Sequence, residues 1–158
     1  MKILHASPGF GKPMTENEVD DFLSKSVLQL HLGTLDRKGE PNIHPVWFYY
    51  DSTSGKIYFN TFRVSQKLSN IKNNSDKNIY FCVDEASFPY RGIRGKGIAL
   101  THHDTDFNLS IAVKIMKKYY GDTEHPNSIA MLEQVRSGGS IIVEITPKYF
   151  STWDYSTV

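Results

Sequence analysis

Thr61, Ser65 and Lys67 stand in the stretch Asn60-Thr61-Phe62-Arg63-Val64-Ser65-Gln66-Lys67, where a strand pattern gives way to a helix pattern. Lys56-Ile57-Tyr58-Phe59 before it is aromatic and β-branched, as strands prefer. Leu68-Ser69-Asn70-Ile71 after it continues at helical apolar spacing. Two hydroxyls, one ammonium and the free N–H groups of a helix start would then converge, and that chemistry holds a phosphate group. Arg63 could add charge, and Gln66 could touch the same ligand from the first helical turn. The competing role is structural, with Ser65 as a helix N-cap and Lys67 as a solvated lysine.

Other residues could do chemistry. Arg91, Arg94 and Lys96 form a basic strand segment, in which Arg94 and Lys96 share one face by alternation. They could receive an anionic group or simply face solvent. His44 precedes Pro45, whose missing N–H leaves a gap in a ladder. The backbone from His44 through Pro45 and Val46 to Trp47 could bind the polar edge of a flat ligand, and Trp47 itself is expected in the core or an interface. His102-His103-x-x-Asp106, with Asp104, does not make a metal site. Adjacent histidines in a strand point to opposite faces, and no second cluster follows at ligand spacing. Cys82, flanked by Phe81 and Val83, is expected as a small buried hydrophobe. No Gly-x-Ser-x-Gly elbow is present, so nothing points to covalent catalysis. The order Gly92-x-x-Gly95-x-Gly97 reverses the dinucleotide fingerprint and lacks a βαβ setting.

The elements that must position these residues follow from periodicity. Residues 1–13, with Pro8, Gly9, Gly11 and Pro13, read as an irregular arm. Thr15-Glu16-Asn17-Glu18 is a capping box, opening a helix whose apolar face is Val19, Phe22 and Leu23. Strands are expected over 27–35, 42–50, 56–61, 78–84, 91–101 and 140–146, with an extension of the last past Pro147 to Trp153 left open. Asp36–Gly39 and Asp51–Gly55 are turns. Helices are expected over 65–74, 105–120 and 127–135. Short turns between successive strands argue an antiparallel sheet. Six strands can close into a barrel and so remove exposed edges.

The 158 residues fit one domain spanning 1–158 with room for a sizeable core. Net charge of +1 gives no electrostatic case for nucleic acid. No apolar run reaches membrane-spanning length, the first residues lack a signal-peptide core, and a single cysteine excludes an intrachain disulfide. A cytoplasmic setting is expected.

Taken in order, these features resemble the pyridoxamine 5′-phosphate oxidase-related FMN-binding split barrels, from about Thr15 to Trp153. The Thr61-x-x-x-Ser65-x-Lys67 spacing, followed by Asn70-Ile71 and Asn74, resembles that family's flavin-phosphate segment. Pro41-x-x-His44-Pro45-Val46-Trp47-Phe48 resembles the strand along the flavin ring. Arg91-Gly92-Ile93-Arg94-Gly95-Lys96-Gly97-x-Ala99 resembles its Gly-x-Ala strand, and Pro147 followed by Trp153 its terminal strand. The resemblance implies a mainly β, six-stranded antiparallel split β-barrel with peripheral helices. It implies a homodimer with FMN at the interface, acting as an oxidoreductase on a small-molecule substrate. The cofactor-binding residues it implies are His44, Pro45, Val46, Trp47, Asn60, Thr61, Ser65, Gln66, Lys67, Arg94, Lys96 and Trp153. Some relatives bind the deazaflavin F420 and some bind haem, so a deazaflavin-dependent reductase or a flavin- or haem-binding carrier or sensor is the alternative. The basic residues with which the oxidase itself holds pyridoxal phosphate have no match here, and vitamin B6 oxidation is not expected.

Overall fold

Alternation along Leu30-His31-Leu32-Gly33-Thr34-Leu35 buries Leu30, Leu32 and Thr34 and leaves His31 and Leu35 outside, so one sheet face is a core and the other is open. The same rule runs through the computed structural model, which describes residues 1–158. Its strands are β1 (Ile3–His5), β2 (Leu30–Leu35), β3 (Pro41–Val46), β4 (Phe48–Asp51), β5 (Lys56–Phe62), β6 (Asn78–Asp84), β7 (Arg91–Thr101) and β8 (Ser140–Asp154). Its helices are α1 (Glu16–Lys25), α2 (Gln66–Asn73), α3 (Thr105–Tyr120) and α4 (Pro126–Arg136). The sheet runs β3-β2-β6-β7-β8-β5-β4. Its two ends, β3 and β4, are consecutive in the chain and joined at Trp47, so the sheet must curl back on itself. This is a split barrel.

The strand number differs from the expected six for two reasons. The expected second strand breaks at Trp47, because its first half pairs with β2 (Leu30↔Val46) and its second with β5 (Phe48↔Phe59). The segment 1–13, expected as an irregular arm, contributes β1, which runs parallel to β8 (Ile3↔Phe150). All other pairings are antiparallel. The last strand continues past Pro147 to Asp154, with a register shift opposite Lys96/Gly97. That irregularity sits beside the proline, which cannot donate to a ladder.

The barrel interior is the main core. Leu30, Leu32, Phe48, Ile57, Phe59, Phe81, Ile93 and Val143 fill it, and α2 adds Leu68 and Ile71. A second apolar cluster lies outside the barrel, where Ile111, Ala112, Ile115 and Met116 of α3 and Leu132 and Val135 of α4 cover Tyr58 and Ile142. The helix ends are chemically closed. Thr15 and Glu18 complete the capping box on α1, Asp104 accepts from the Phe107 N–H at 2.7 Å, and Gly121 ends α3 at φ 83°. No helix is long and apolar enough to cross a membrane.

Candidate functional site

Thr61 is buried near the inner end of β5, and Ser65 caps α2. Their hydroxyl oxygens lie 2.8 Å apart. The Ser65 hydroxyl also accepts the Leu68 N–H at 3.4 Å. The backbone N–H groups of Gln66 and Lys67 have no intrahelical acceptor, as at any helix start. The loop between β5 and α2 is fixed to the start of β8. Arg63 donates its backbone N–H to the Gly139 carbonyl at 3.0 Å and its Nε to the Gly138 carbonyl. The guanidinium of Arg63 thereby donates to one protein carbonyl through Nε.

Lys67 is half-buried. No carboxylate lies in salt-bridge range of its ammonium, which makes no hydrogen bond within the chain. Burial pushes its pKa below the ordinary lysine value. His44 is pushed below the usual imidazole value too, first by burial and second by the charge of Lys67. Two basic groups are therefore held together without a counter-charge. An anion placed there would relieve both.

Packing of α2 against β2, the strand paired with β3, creates this proximity. Asn70, 2% exposed, donates to the Thr34 hydroxyl at 3.0 Å and accepts from the Gln66 side-chain amide at 2.7 Å. Thr34 in turn lies 3.3 Å from His44 Nε2. The chain Gln66–Asn70–Thr34–His44 links the helix start to β3. Nothing in the sequence pattern identifies Thr34 as part of this network. Asn70 carried a signal, a polar residue at an apolar position of α2 next to Ile71.

Beside the cradle the sheet is open. Continuing the β4–β5 register past Phe48↔Phe59 would set Trp47 opposite Asn60, Val46 opposite Thr61 and Pro45 opposite Phe62. That pairing is absent. β3 is bonded only to β2, and Asn60–Phe62 only to β8. Alternate N–H and C=O groups of both strands are thus left without a ladder partner along one edge. The opening is flanked by His44, Pro45, Val46 and Trp47 on one side and by Asn60 and Thr61 on the other, and it ends at Ser65, Gln66 and Lys67.

Other expected site residues lie elsewhere in the chain. Trp47 and Asn60 contribute backbone to the opening, but their side chains point to the outer face. Trp47 stacks on Tyr119 at 4.7 Å, and the Asn60 amide nitrogen touches Met131 Sδ. Arg94 and Lys96 stand on the outer face of β7, where Lys96 pairs with Tyr80 and Arg94 with Cys82. Two further strands separate them from β3, about 14 Å in all. Trp153 covers Gly92 on that face. It lies twelve residues along β8 from Ile141, the partner of Thr61, about 40 Å of strand contour. One chain therefore does not bring Arg94, Lys96 or Trp153 to Lys67. Cys82, expected to be buried, is half-exposed on the outer face, because its neighbours Phe81 and Val83 take the inward positions. A cleft of about 630 Å³ between α1 and the β6–β7 turn holds none of these residues, and Glu18, Asp20, Asp21 and Glu85 make it acidic.

The family model described as pyridoxamine 5′-phosphate oxidase matches residues 15–154. No curated protein sequence matches the chain. Solved structures with the same fold include a conserved hypothetical protein from Mycobacterium tuberculosis, 23% identical with a TM-score of 0.76 over 90% of this chain and 86% of that one. An F420 reductase is 25% identical, with a TM-score of 0.63 over 83% of this chain and 94% of that one. The haem storage protein from Vibrio cholerae is 12% identical, with a TM-score of 0.64 over 84% and 89%.

Proposed function

The chain belongs to the pyridoxamine 5′-phosphate oxidase family, and on that premise we propose that it is a cytoplasmic FMN-binding oxidoreductase, working as a homodimer on a small-molecule substrate. The observation that carries this reading is the half-buried Lys67 ammonium without a counter-charge, set at a helix start beside two open strand edges. A phosphate monoester fits that position. Lys67 supplies a charge-assisted hydrogen bond, the N–H groups of Gln66 and Lys67 supply a helix-terminal anion site, and the Ser65–Thr61 hydroxyl pair, whose mutual bond uses one of its two protons, supplies one further donor. The open edges of His44–Trp47 and Asn60–Thr61 suit the polar rim of an isoalloxazine ring. Bound FMN would supply two-electron transfer, and the chain would hold, orient and partly dry the site.

The homodimer rests on the outer sheet face. Ile43 is 72% exposed, Tyr80 48%, and Val64, beside the cradle, 96%. His31, Gly33, Ile43, Tyr80, Cys82 and Arg94 line a hollow of about 530 Å³ there. A second copy seated on this face would cover the split and could add Arg94, Lys96 and Trp153, which one chain keeps away from Lys67. The deazaflavin F420 is the second reading, favoured by the 25% identity to an F420 reductase; its phosphate would use the same cradle.

Absorbance of the purified protein, followed by titration of the cofactor-free protein with FMN, F420 and haem, tests the reading. FMN is expected to bind most tightly. A Soret band, or preference for F420, would overturn the FMN assignment. Light scattering that finds a monomer still holding FMN would overturn the dimer.

A further inference from the structure

Helices α3 and α4 take no part in the cradle, yet they build a second site on the other face of the same split. A pocket of about 460 Å³ lies between them and the barrel, walled by Trp47, Phe62, Met116, Tyr120, Met131 and Gln134. We propose that it binds a flat, uncharged aromatic small molecule. Its role as the seat of the substrate rests on the flavin reading above; the binding itself does not.

Four observations carry the proposal. The volume falls in the range of small-ligand sites. The Trp47 ring is a fixed aromatic wall. It lies parallel to Tyr119 at an interplanar angle of 6° and nearly perpendicular to Tyr120 at a centroid distance of 5.2 Å. Both tyrosines are pinned, Tyr119 by donating its hydroxyl to the Leu28 carbonyl at 2.7 Å and Tyr120 by the Asn127 amide at 2.9 Å. Met116 and Met131 form the adaptable side, since unbranched thioethers fit varied shapes and favour aromatic contact. No charged side chain lines the pocket, so a charged ligand would be desolvated without a partner.

The location links this pocket to the split. Along β5, Thr61 faces inward to the cradle while Asn60 and Phe62 face outward. Across the split, Val46 faces inward and Trp47 outward. A planar group lying between the two edges would thus have the pocket beyond its outer side.

The test uses the whole protein and two probes that share one ring system, neutral N-phenyl-1-naphthylamine and its sulfonated analogue 1-anilinonaphthalene-8-sulfonate. The chain has two tryptophans, so Trp153→Phe leaves Trp47 as the only one. Saturable quenching of Trp47 emission by the neutral probe is expected, with weaker binding of the sulfonate. Ala130, an exposed position of α4 on the pocket rim, is filled by Ala130→Phe, which should weaken the neutral probe about tenfold or more and leave FMN affinity unchanged. Absence of quenching, tighter binding of the sulfonate, or an unchanged probe affinity in Ala130→Phe overturns the proposal. One-for-one displacement of the probe by FMN would also overturn it, because the pocket would then be the seat of the flavin ring. Probe binding that responds to Ala130→Phe in a protein unable to bind FMN would sustain the pocket and remove the flavin reading instead.

Discussion

Lys67→Ala should separate recognition of phosphate from recognition of the flavin ring. The Lys67 ammonium is half-buried, lacks an acceptor in the chain and has a pKa lowered by burial, so its charge is held at a cost to the cofactor-free protein. Removing it should leave folding stability unchanged or slightly raised, helped by the better helix propensity of alanine. Binding should respond in the opposite direction. A hydrogen bond to a charged group contributes about 1.5–3 kcal/mol, and a loss of about 2 kcal/mol weakens FMN roughly thirtyfold. Riboflavin lacks the phosphate, and its affinity should hardly change. The assay is fluorescence titration of cofactor-free protein with each flavin, wild type beside variant, together with urea denaturation. Equal FMN affinity in both proteins, or an equal drop for both flavins, would refute the reasoning and remove Lys67 from the phosphate site. A marked loss of stability would show that its stem carries packing rather than binding.

His44 should titrate below the ordinary histidine range in an NMR pH series; Lys67→Ala should move it upward but not fully back, because burial is the larger of its two causes. Since the depressed pKa means that the unfolded chain binds the extra proton first, His44 should make the protein less stable as pH falls below about 6.5. Asn70→Ala leaves the buried link between Thr34 and Gln66 unmade, and urea denaturation should show a loss of about 1–3 kcal/mol together with weaker FMN binding. Gly92→Ala would drive a Cβ into the Trp153 indole, so overpacking should cost about 1–3 kcal/mol and shift Trp153 emission; unchanged emission would count against the contact. Tyr119→Phe removes the hydroxyl that accepts the Phe48 N–H and donates to the Leu28 carbonyl, and thermal unfolding should register about 1–3 kcal/mol while the stack on Trp47 persists.

What local pattern could reveal was decided by local physics. Helix α3 runs from Thr105 to Tyr120, as its apolar spacing predicts, because Asp104 caps one end and Gly121 the other. The Asp36–Gly39 turn was legible because the Asp36 carboxylate accepts the Lys38 and Glu40 N–H groups and Gly39 takes φ 81°. The break at Trp47 was not legible, since periodicity along one strand does not say that its halves pair with different neighbours. β1 is a three-residue strand whose existence depends on β8, about 145 residues away in the chain. The competing reading of the sequence had Lys67 as a solvated lysine; its partial burial comes from α2 lying against β2, a tertiary fact. The helices outside the barrel were expected from the resemblance and are found there, but the seat of Tyr119 under Trp47 had no local signal.

The two sides of Trp47 show what the chain does with a gap in a sheet. Extending the β2–β3 register beyond Leu30↔Val46 would bring Leu28 opposite Phe48. There the Tyr119 hydroxyl stands in for the missing backbone bond, taking the Phe48 N–H at 3.2 Å and giving its proton to the Leu28 carbonyl at 2.7 Å. That gap is closed by the protein itself, and burial raises the phenol to a pKa of about 12, so the bridge stays neutral and donating at physiological pH. On the other side of Trp47, where Val46 would meet Thr61, no side chain plays this part, and Pro45 could not donate to a ladder in any case. Unpaired strand edges invite a partner and are normally covered. Here the open edges end at a cation without a counter-ion, so the ligand proposed above would complete the sheet by offering hydrogen-bonding atoms along a flat rim and a negative charge at one end. A flavin mononucleotide has both, and a backbone strand has only the first.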